Sequence, residues 1–161
     1  MKILITGSNG FIGKNLKYFL IENQHKILEQ NRNNNIKKLI TNLHECDLII
    51  HLAGENRPKN KNDFDLVNSK LTSLICDEVR LIKKEIPIIL ASSSQAESNS
   101  LYGKSKLSAE RAVRKLESET GNPSFIYRLP GVFGKWCKPN YNSVVATFCY
   151  NISHELSIKI N

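Results

Sequence analysis

The sequence lacks paired cysteines, long apolar runs and any internal repeat. Its four cysteines and four histidines are scattered, with no Cys-x-x-Cys pair and no spacing that suits a metal site. We therefore expect neither a zinc site nor a disulfide framework, and a reducing, cytoplasmic environment fits better. No apolar run approaches the roughly 20 residues of a membrane span. The first such run, residues 3–5, is too short for a secretory signal.

Acidic residues are fewer than basic ones. The chain of 161 residues has 15 Asp and Glu against 23 Lys and Arg, so its formal net charge is +8. The basic residues come in twos within helical patterns, as at Lys37 and Lys38, so we assign them to solvated helix faces rather than to a nucleic-acid interface. The alternative is a site for a small phosphorylated ligand. Hydrophobic residues make up 40% of the chain, enough for one domain with a sizeable core.

Short apolar runs alternate with amphipathic stripes along the chain. The runs predict strands at 1–6, 25–30, 47–52, 87–91 and 124–129, and the stripes predict helices at 12–20, 36–43, 67–82 and 109–116. A polar loop is expected at 58–62 and a further helix at 143–152. The alternation predicts a doubly wound α/β protein with one parallel sheet, a Rossmann fold. We expect residues 1–135 to form a dinucleotide-binding domain.

A turn with three glycines follows the first predicted strand. Gly7-x-x-Gly10-x-x-Gly13 lies between that strand and the first predicted helix. Glycine permits a positive φ, lets the backbone approach a pyrophosphate and allows tight helix–strand packing. The N–H groups and the positive dipole end at the start of the helix attract the same anion. We therefore predict a dinucleotide site here, and the alternative is a purely structural turn.

The residues after the second strand bear on which dinucleotide binds. An acid at position 31, eighteen residues after Gly13, would bond the adenosine ribose and repel a 2′-phosphate. The sequence instead has Asn31 followed by Arg32, a neutral residue and then a cation. This pair favours NADP over NAD. The alternative is that Arg32 is only a solvated loop residue.

Tyr102 and Lys106 are four residues apart at the start of a predicted helix and therefore share one face. A tyrosine is a poor proton relay at neutral pH because its ordinary pKa is about 10, and a nearby ammonium stabilises the phenolate. Ser92, Ser93 and Ser94 end the fourth strand, at the edge where ligands bind in open α/β sheets. We predict an acid–base pair with one serine hydroxyl that polarises a substrate carbonyl.

Together these motifs resemble the extended short-chain dehydrogenase/reductase family, which includes the NAD-dependent epimerases and dehydratases. The residues that carry the resemblance run through nearly the whole chain in the family's order. They are Thr6-Gly7-x-x-Gly10-Phe11-Ile12-Gly13, His51-Leu52-Ala53-Gly54, Ser92-Ser93-Ser94, Tyr102-x-x-x-Lys106 and Arg128-Leu129-Pro130-Gly131-Val132-Phe133-Gly134. The segment 134–143 and the run Asn56-Arg57-Pro58 are similar to those of the CapF-type reductases of capsular polysaccharide synthesis.

The resemblance implies NADPH-dependent reduction of the 4-keto group of a UDP-linked 2-acetamido-2,6-dideoxy sugar, toward UDP-N-acetyl-L-fucosamine. By that resemblance Tyr102 donates the proton and Lys106 tunes it while holding the nicotinamide ribose. Ser94, or alternatively Ser93, binds the keto oxygen, and Asn68 supports the active site. The implied cofactor-binding residues are Gly7, Gly10, Phe11, Ile12, Gly13, Arg32, Leu52, Ala53, Gly54, Ser92, Lys106, Leu129 and Pro130.

The chain also departs from the pattern of the family. Only one helix fits between the second and third strands, so we expect the strand order 2-1-3-4-5. Gly131 stands where relatives often carry an asparagine that orients the sugar nucleotide. The resemblance implies that residues 136–161 begin a substrate-binding region that is incomplete here. It also implies that the family's C-terminal metal-binding cupin is missing, so no metal site is assigned.

Two other functions stay open at this point. One is a nucleotide-sugar 4-epimerase of the same family, which would usually carry an acid at position 31. The other is a non-catalytic fragment that binds NADP but lacks the walls that hold a sugar. We expect His51, at the end of a strand, to be a hydrogen-bonded core residue rather than a ligand. The resemblance further suggests a homodimer through the helices that carry Leu71 and Val113.

Overall fold

The computed structural model describes residues 1–58, 60 and 62–160. The polar loop expected at 58–62 includes positions 59 and 61, which lie outside the described residues. The chain divides into two compact units, Met1–Arg128 and Leu129–Asn161. Within the described ranges, none of the helices combines the length and apolar character that a membrane span requires.

Five parallel strands form one sheet in the order β2-β1-β3-β4-β5, as predicted. The strands are β1 (Lys2–Thr6), β2 (Lys26–Gln30), β3 (Leu48–His51), β4 (Ile88–Ser93) and β5 (Ser124–Leu129). In register, Ile3 of β1 lies opposite Ile27 of β2 and Leu48 of β3. The order reverses direction beside β1, so the carboxyl ends of β1 and β3 flank the point where ligands bind in such sheets.

Each strand is followed by a helix. The helices are α1 (Phe11–Glu22), α2 (Ile36–Glu45), α3 (Leu71–Ile82), α4 (Leu101–Thr120) and, in the second unit, α5 (Val144–Ser153). Apolar residues of α2, α3 and α4 pack with Leu4, Ile49 and Leu90 on one face of the sheet. Leu16 and Leu20 of α1 pack with the alternate strand residues on the other face. The core therefore follows the two-residue period of the strands.

The predicted helix at 67–82 differs in its first part. Residues Asp65–Lys70 form a π-helix, and the N–H of Leu71 donates to Leu66 O, five residues earlier. The wider turn buries Asn68, which is 2% exposed, together with Ser69. The prediction of one regular helix across 67–82 is therefore wrong for residues 67–70, which belong to the π-helix. π-helical turns are frequent at functional sites.

Candidate active site

The turn after β1 brings its glycines into close backbone contact. Gly7 has a φ of 70°, and its N–H donates to Gln30 O at 2.8 Å. A Cβ at Gly7 would lie 2.8 Å from Ala53 N, and one at Gly13 would lie 2.3 Å from Gly7 O. Both contacts are to backbone atoms, which cannot move aside as a flexible side chain can. Positions 7 and 13 therefore require glycine.

The start of α1 offers donors to an anion. Gly10 is its N-cap, and no side chain of the described residues caps it, whereas side chains cap α2, α4 and α5. Phe11 and Ile12, half-buried, form its first turn. Among buried side-chain N and O atoms of the described chain, Ser8 Oγ and Gln30 Oε1 lack a hydrogen-bond partner. Uncapped N–H groups and an unused hydroxyl beside them fit a diphosphate.

The loop after β2 meets the loop after β3. Arg32 is 79% exposed, and its Nη2 forms an ion pair with Oε2 of Glu55, whose side chain is 13% exposed. The N–H of Asn31 donates to Asn34 Oδ1 at 3.0 Å. Arg32, which we expect to influence the choice of cofactor, is therefore paired with the carboxylate of Glu55. Glu55 was not identified from the sequence. No local spacing marks this pair, because its members are 23 residues apart.

Leu52, Ala53 and Gly54 leave β3 between the glycine turn and α4. The N–H of Leu52 donates to Thr6 O at 3.2 Å, and that of Ala53 donates to Thr6 Oγ1 at 3.1 Å. A Cβ at Gly54 would lie 2.9 Å from Lys106 Nζ. The loop thus contacts the turn at one end and Lys106 at the other.

His51 is a core residue with both ring nitrogens hydrogen-bonded, as predicted. Its Nδ1 lies 2.6 Å from Thr6 Oγ1 and its Nε2 lies 2.8 Å from Thr72 Oγ1. Thr72 Oγ1 donates to Asn68 O at 2.7 Å, so it must accept from His51, which places the ring proton on Nε2. Burial, with a smaller contribution from the Lys106 charge, lowers the pKa of His51 to about 3. The ring is therefore neutral at pH 7.

Tyr102 and Lys106 lie in the first turns of α4. Lys106 is 7% exposed, and its Nζ donates to Ala91 O at 3.0 Å. The same Nζ lies 6.0 Å from the centroid of the Tyr102 ring, against which the Phe64 ring packs at 5.9 Å. Burial lowers the pKa of Lys106 to about 8, and the negative charge of Glu110 acts in the opposite direction. At pH 7 the amine therefore carries a positive charge beside the phenol.

The three serines at the end of β4 have different surroundings. Ser92 is buried, and its hydroxyl donates to Glu110 Oε1 at 2.5 Å. Ser93 is also buried, and its hydroxyl accepts from the N–H of Gln95 at 3.1 Å. Ser94 is exposed. Of the three serines, Ser94 is therefore the exposed one.

A charged cluster underlies this edge of the sheet. Glu110, 1% exposed, accepts from Arg128 Nε at 2.9 Å and from Nη2 at 2.8 Å. Burial alone would raise the pKa of Glu110, but hydrogen bonds from Arg128 and Ser92 lower it overall. Hydrogen bonds to Glu110 and then Glu97 raise the pKa of Arg128. The signal in the sequence was a charged residue inside a predicted parallel strand, since such a residue needs a partner.

Asn68 joins the loop after β3 to α4. Its Oδ1 accepts from the N–H of Glu55 at 2.8 Å, and its Nδ2 donates to Glu55 O and to Ser105 Oγ, both at 2.9 Å. Ser105 Oγ in turn donates to Tyr102 O at 2.7 Å. The amide oxygen and both N–H groups of the amide therefore hold the two elements together. Leu129 ends β5 and Pro130 follows it, both in the second unit.

Comparison with known proteins gives a consistent family. Residues 3–161 match the model of the NAD dependent epimerase/dehydratase family. The UDP-2-acetamido-2,6-beta-L-arabino-hexul-4-ose reductase of Pseudomonas aeruginosa is 44% identical over 162 residues, which cover 100% of this chain and 44% of that protein. The chain therefore spans less than half the length of this relative.

Solved structures agree with the sequence match. The capsular polysaccharide assembling protein CapF of Staphylococcus aureus aligns with a TM-score of 0.86 and 45% identity, over 100% of this chain and 44% of that one. UDP-glucuronic acid 4-epimerase from Bacillus cereus, solved in complex with NAD, aligns with a TM-score of 0.83 over 97% of this chain and 63% of that one. At 20% identity the second likeness concerns the fold alone.

Proposed function

Because the chain belongs to the NAD dependent epimerase/dehydratase family, we propose that it supplies the cofactor-binding and acid–base part of a nucleotide-sugar reductase. The substrate class we propose is a UDP-linked 2-acetamido-2,6-dideoxy-4-keto sugar, on the way to UDP-N-acetyl-L-fucosamine. The name of the Pseudomonas relative, at 44% identity across the whole chain, supports a keto sugar of this class. The proposed reductant is NADPH, supported by Asn31 and the cation Arg32 after β2.

One observation carries the proposal. A buried amine, Lys106 Nζ, is held by Ala91 O at 3.0 Å and lies 6.0 Å from the ring of Tyr102. Burying a positive charge costs free energy. The charge retained on Lys106 stabilises a phenolate on the neighbouring ring of Tyr102. This arrangement is suited to proton transfer by a phenol.

The glycine turn and the start of α1 would hold the diphosphate of the cofactor, through backbone N–H groups and Ser8 Oγ. Leu52, Ala53 and Gly54 would line its adenosine-ribose side. Lys106 would also hold the nicotinamide ribose through its amine. When bound, the nicotinamide supplies a hydride to the keto carbon.

The proton that completes the reduction comes from the chain itself. Tyr102 would donate its hydroxyl proton to the keto oxygen, so that the carbonyl becomes a secondary alcohol and the phenol becomes a phenolate. The exposed Ser94 hydroxyl would donate a hydrogen bond to the same oxygen and orient it. Lys106, with its pKa lowered by burial to about 8, would stabilise the phenolate until it regains a proton. Turnover should therefore decline as the pH rises above about 8.

Tyr102→Phe tests the proposal, with Tyr127→Phe as a matched control. Tyr127 lies in β5 and is 56% exposed. Using NADPH and a UDP-2-acetamido-2,6-dideoxy-4-keto sugar, we expect Tyr102→Phe to lower kcat by roughly 100-fold or more, which is typical of a lost general acid. The dissociation constant for NADPH, measured by titration calorimetry, should change less than twofold. The control should alter neither quantity.

Three results would contradict parts of this assignment. Turnover that survives Tyr102→Phe would mean that another group donates the proton. NADH that binds more tightly than NADPH would overturn the cofactor choice. NADPH binding without turnover in the unmodified chain would favour the alternative of a cofactor-binding fragment, because loosely held reactants lose the advantage of positioning.

A further inference from the structure

The ion pair between Arg32 and Glu55 lies across the carboxyl end of β1. Arg32 follows β2 and Glu55 follows β3, and in the sheet β1 lies between these two strands. Neighbouring strands are about 4.8 Å apart, so the loops after β2 and β3 are separated by roughly two such spacings. Side chains that meet from these loops must reach over the end of β1. That end is the glycine turn with Gly7.

The carboxylate is the fixed member of this pair. Glu55 Oε1 accepts from the N–H of Asn56 at 3.1 Å and from that of Arg57 at 3.2 Å. The backbone N–H and O of Glu55 are both bonded by the amide of the buried Asn68. Arg32, by contrast, is 79% exposed along its side chain. The carboxylate is therefore anchored by the backbone around it, whereas Arg32 reaches it as an exposed side chain.

We propose that Glu55 is a positioning residue that competes with the 2′-phosphate of a dinucleotide for Arg32 and so limits the preference of this site for NADPH over NADH. The inference rests on the proposed dinucleotide site. A guanidinium pairs with a carboxylate and with a phosphate through the same fork of donors, so it cannot serve both fully. A 2′-phosphate must therefore displace Glu55 from Arg32, whereas the 2′-hydroxyl of NADH need not.

Glu55→Gln tests the competition, because it removes the charge and keeps an oxygen for the N–H groups of Asn56 and Arg57. Glu119→Gln is the control, since Glu119 forms an Arg–Glu pair with Arg80 and lies at the C-terminal end of α4. Titration calorimetry of the whole chain with NADPH and with NADH gives the ratio of the two dissociation constants. We expect Glu55→Gln to shift this ratio toward NADPH by roughly two- to fivefold, given the modest strength of exposed ion pairs. Glu119→Gln should change it less than twofold.

A second background shows whether the effect passes through Arg32. In Arg32→Gln, the added change Glu55→Gln should move the ratio less than twofold, because the cation for which the two anions compete is gone. Urea unfolding of each variant verifies that it is folded. An undiminished effect in this background would overturn the positioning role and indicate direct repulsion.

The outcomes separate this inference from the proposed function. If the unmodified chain binds both dinucleotides and Glu55→Gln leaves the ratio unchanged, the competition is wrong and the dinucleotide site stands. If Glu55→Gln shifts the ratio toward NADH, Glu55 prepares Arg32 for the phosphate, and the inference is overturned with its sign reversed. If the unmodified chain binds neither dinucleotide, the proposed function fails and the inference fails with it.

Discussion

The glycine turn after β1 and the Tyr102–Lys106 face of α4 lie at the same edge of the sheet and are held by different atoms. In the turn, the closest approaches are between backbone atoms, as between the position of a Cβ on Gly13 and Gly7 O at 2.3 Å. On α4, the decisive contacts are made by side chains, such as Lys106 Nζ to Ala91 O. A change in the turn should therefore disturb the backbone, whereas a change on α4 should disturb chemistry and leave the fold.

Two buried bases beside the site sharpen this comparison. Burial is the largest cause of the lowered pKa in both, about 3 for His51 and about 8 for Lys106. Imidazole begins from an ordinary value near 6.5 and the amine from one near 10.5. The same physical effect therefore leaves His51 neutral and Lys106 charged at pH 7. A neutral ring serves as a structural link, and a retained charge serves the acid–base face.

The largest effect is expected in the turn, from Gly13→Ala. The new Cβ would meet Gly7 O at 2.3 Å and Ser8 Cα at 2.9 Å, and neither backbone atom can yield without moving the turn. We expect the free energy of unfolding to fall by about 3 to 4 kcal/mol, at the upper end of overpacking effects. Affinity for NADPH should fall at least roughly 100-fold because the start of α1 moves with the turn. Urea unfolding and titration calorimetry measure the two quantities.

Gly131→Ala is the matched control for this substitution. Among the residues that the structure describes, none has an atom within 4 Å of a Cβ placed at Gly131, so the effect of this substitution on stability should stay below about 0.5 kcal/mol. Equal losses in the two variants would show that the turn is not specially restricted, and the comparison between its backbone and the face of α4 would collapse.

On α4, the next largest effect is a pH dependence of the free energy of unfolding, which Lys106→Met should abolish. The native pKa of Lys106 is about 8, below its ordinary 10.5, so between these values the unfolded chain holds a proton that the native chain has lost. More protons in the unfolded state mean that stability rises with pH across this window. At 1.36 kcal/mol per unit, the gain of the unmodified chain relative to Lys106→Met is about 3 kcal/mol.

Urea unfolding at pH 7.5, 9 and 10.5 measures this difference. Subtracting the variant from the unmodified chain cancels the titration of tyrosines and cysteines that both contain. Curves that stay parallel across the window would mean that Lys106 is as well solvated in the native chain as in the unfolded one. The glycine turn and the Tyr102–Lys106 face of α4 would then no longer differ in the way described above.

The parts of this site that can be read from the sequence are those made by neighbours along the chain. The glycine turn occupies one contiguous stretch, and Tyr102 and Lys106 are one helical turn apart, so a local pattern is sufficient. The amide of Asn68 bonds Ser105, 37 residues away. Such a contact exists only after the fold has brought separate elements together. The π-helix that turns Asn68 inward likewise has no periodic signature in the sequence.

Among the substitutions within the site, Gly54→Ala is expected to have the smallest effect on stability, although the residue contacts the centre of the site. A Cβ there would lie 2.9 Å from Lys106 Nζ and 3.2 Å from Asn68 Oδ1. Nζ is the far end of a flexible side chain and can move aside, and replacing glycine lowers the entropy of the unfolded chain, so the net change should stay below about 1 kcal/mol.

Moving the amine of Lys106 should nevertheless lower the rate of the reaction. Lys106 would shift from Ala91 O and from its place beside Tyr102, and we expect kcat to fall roughly tenfold, since small misplacements of catalytic groups have large effects on rate. Urea unfolding and turnover with NADPH and the keto sugar, measured on the same samples, separate the two quantities. A loss of stability as large as that of Gly13→Ala would show that the loop after β3 is as rigid as the turn. The two halves of the site would then not differ in kind, because both would depend on backbone packing.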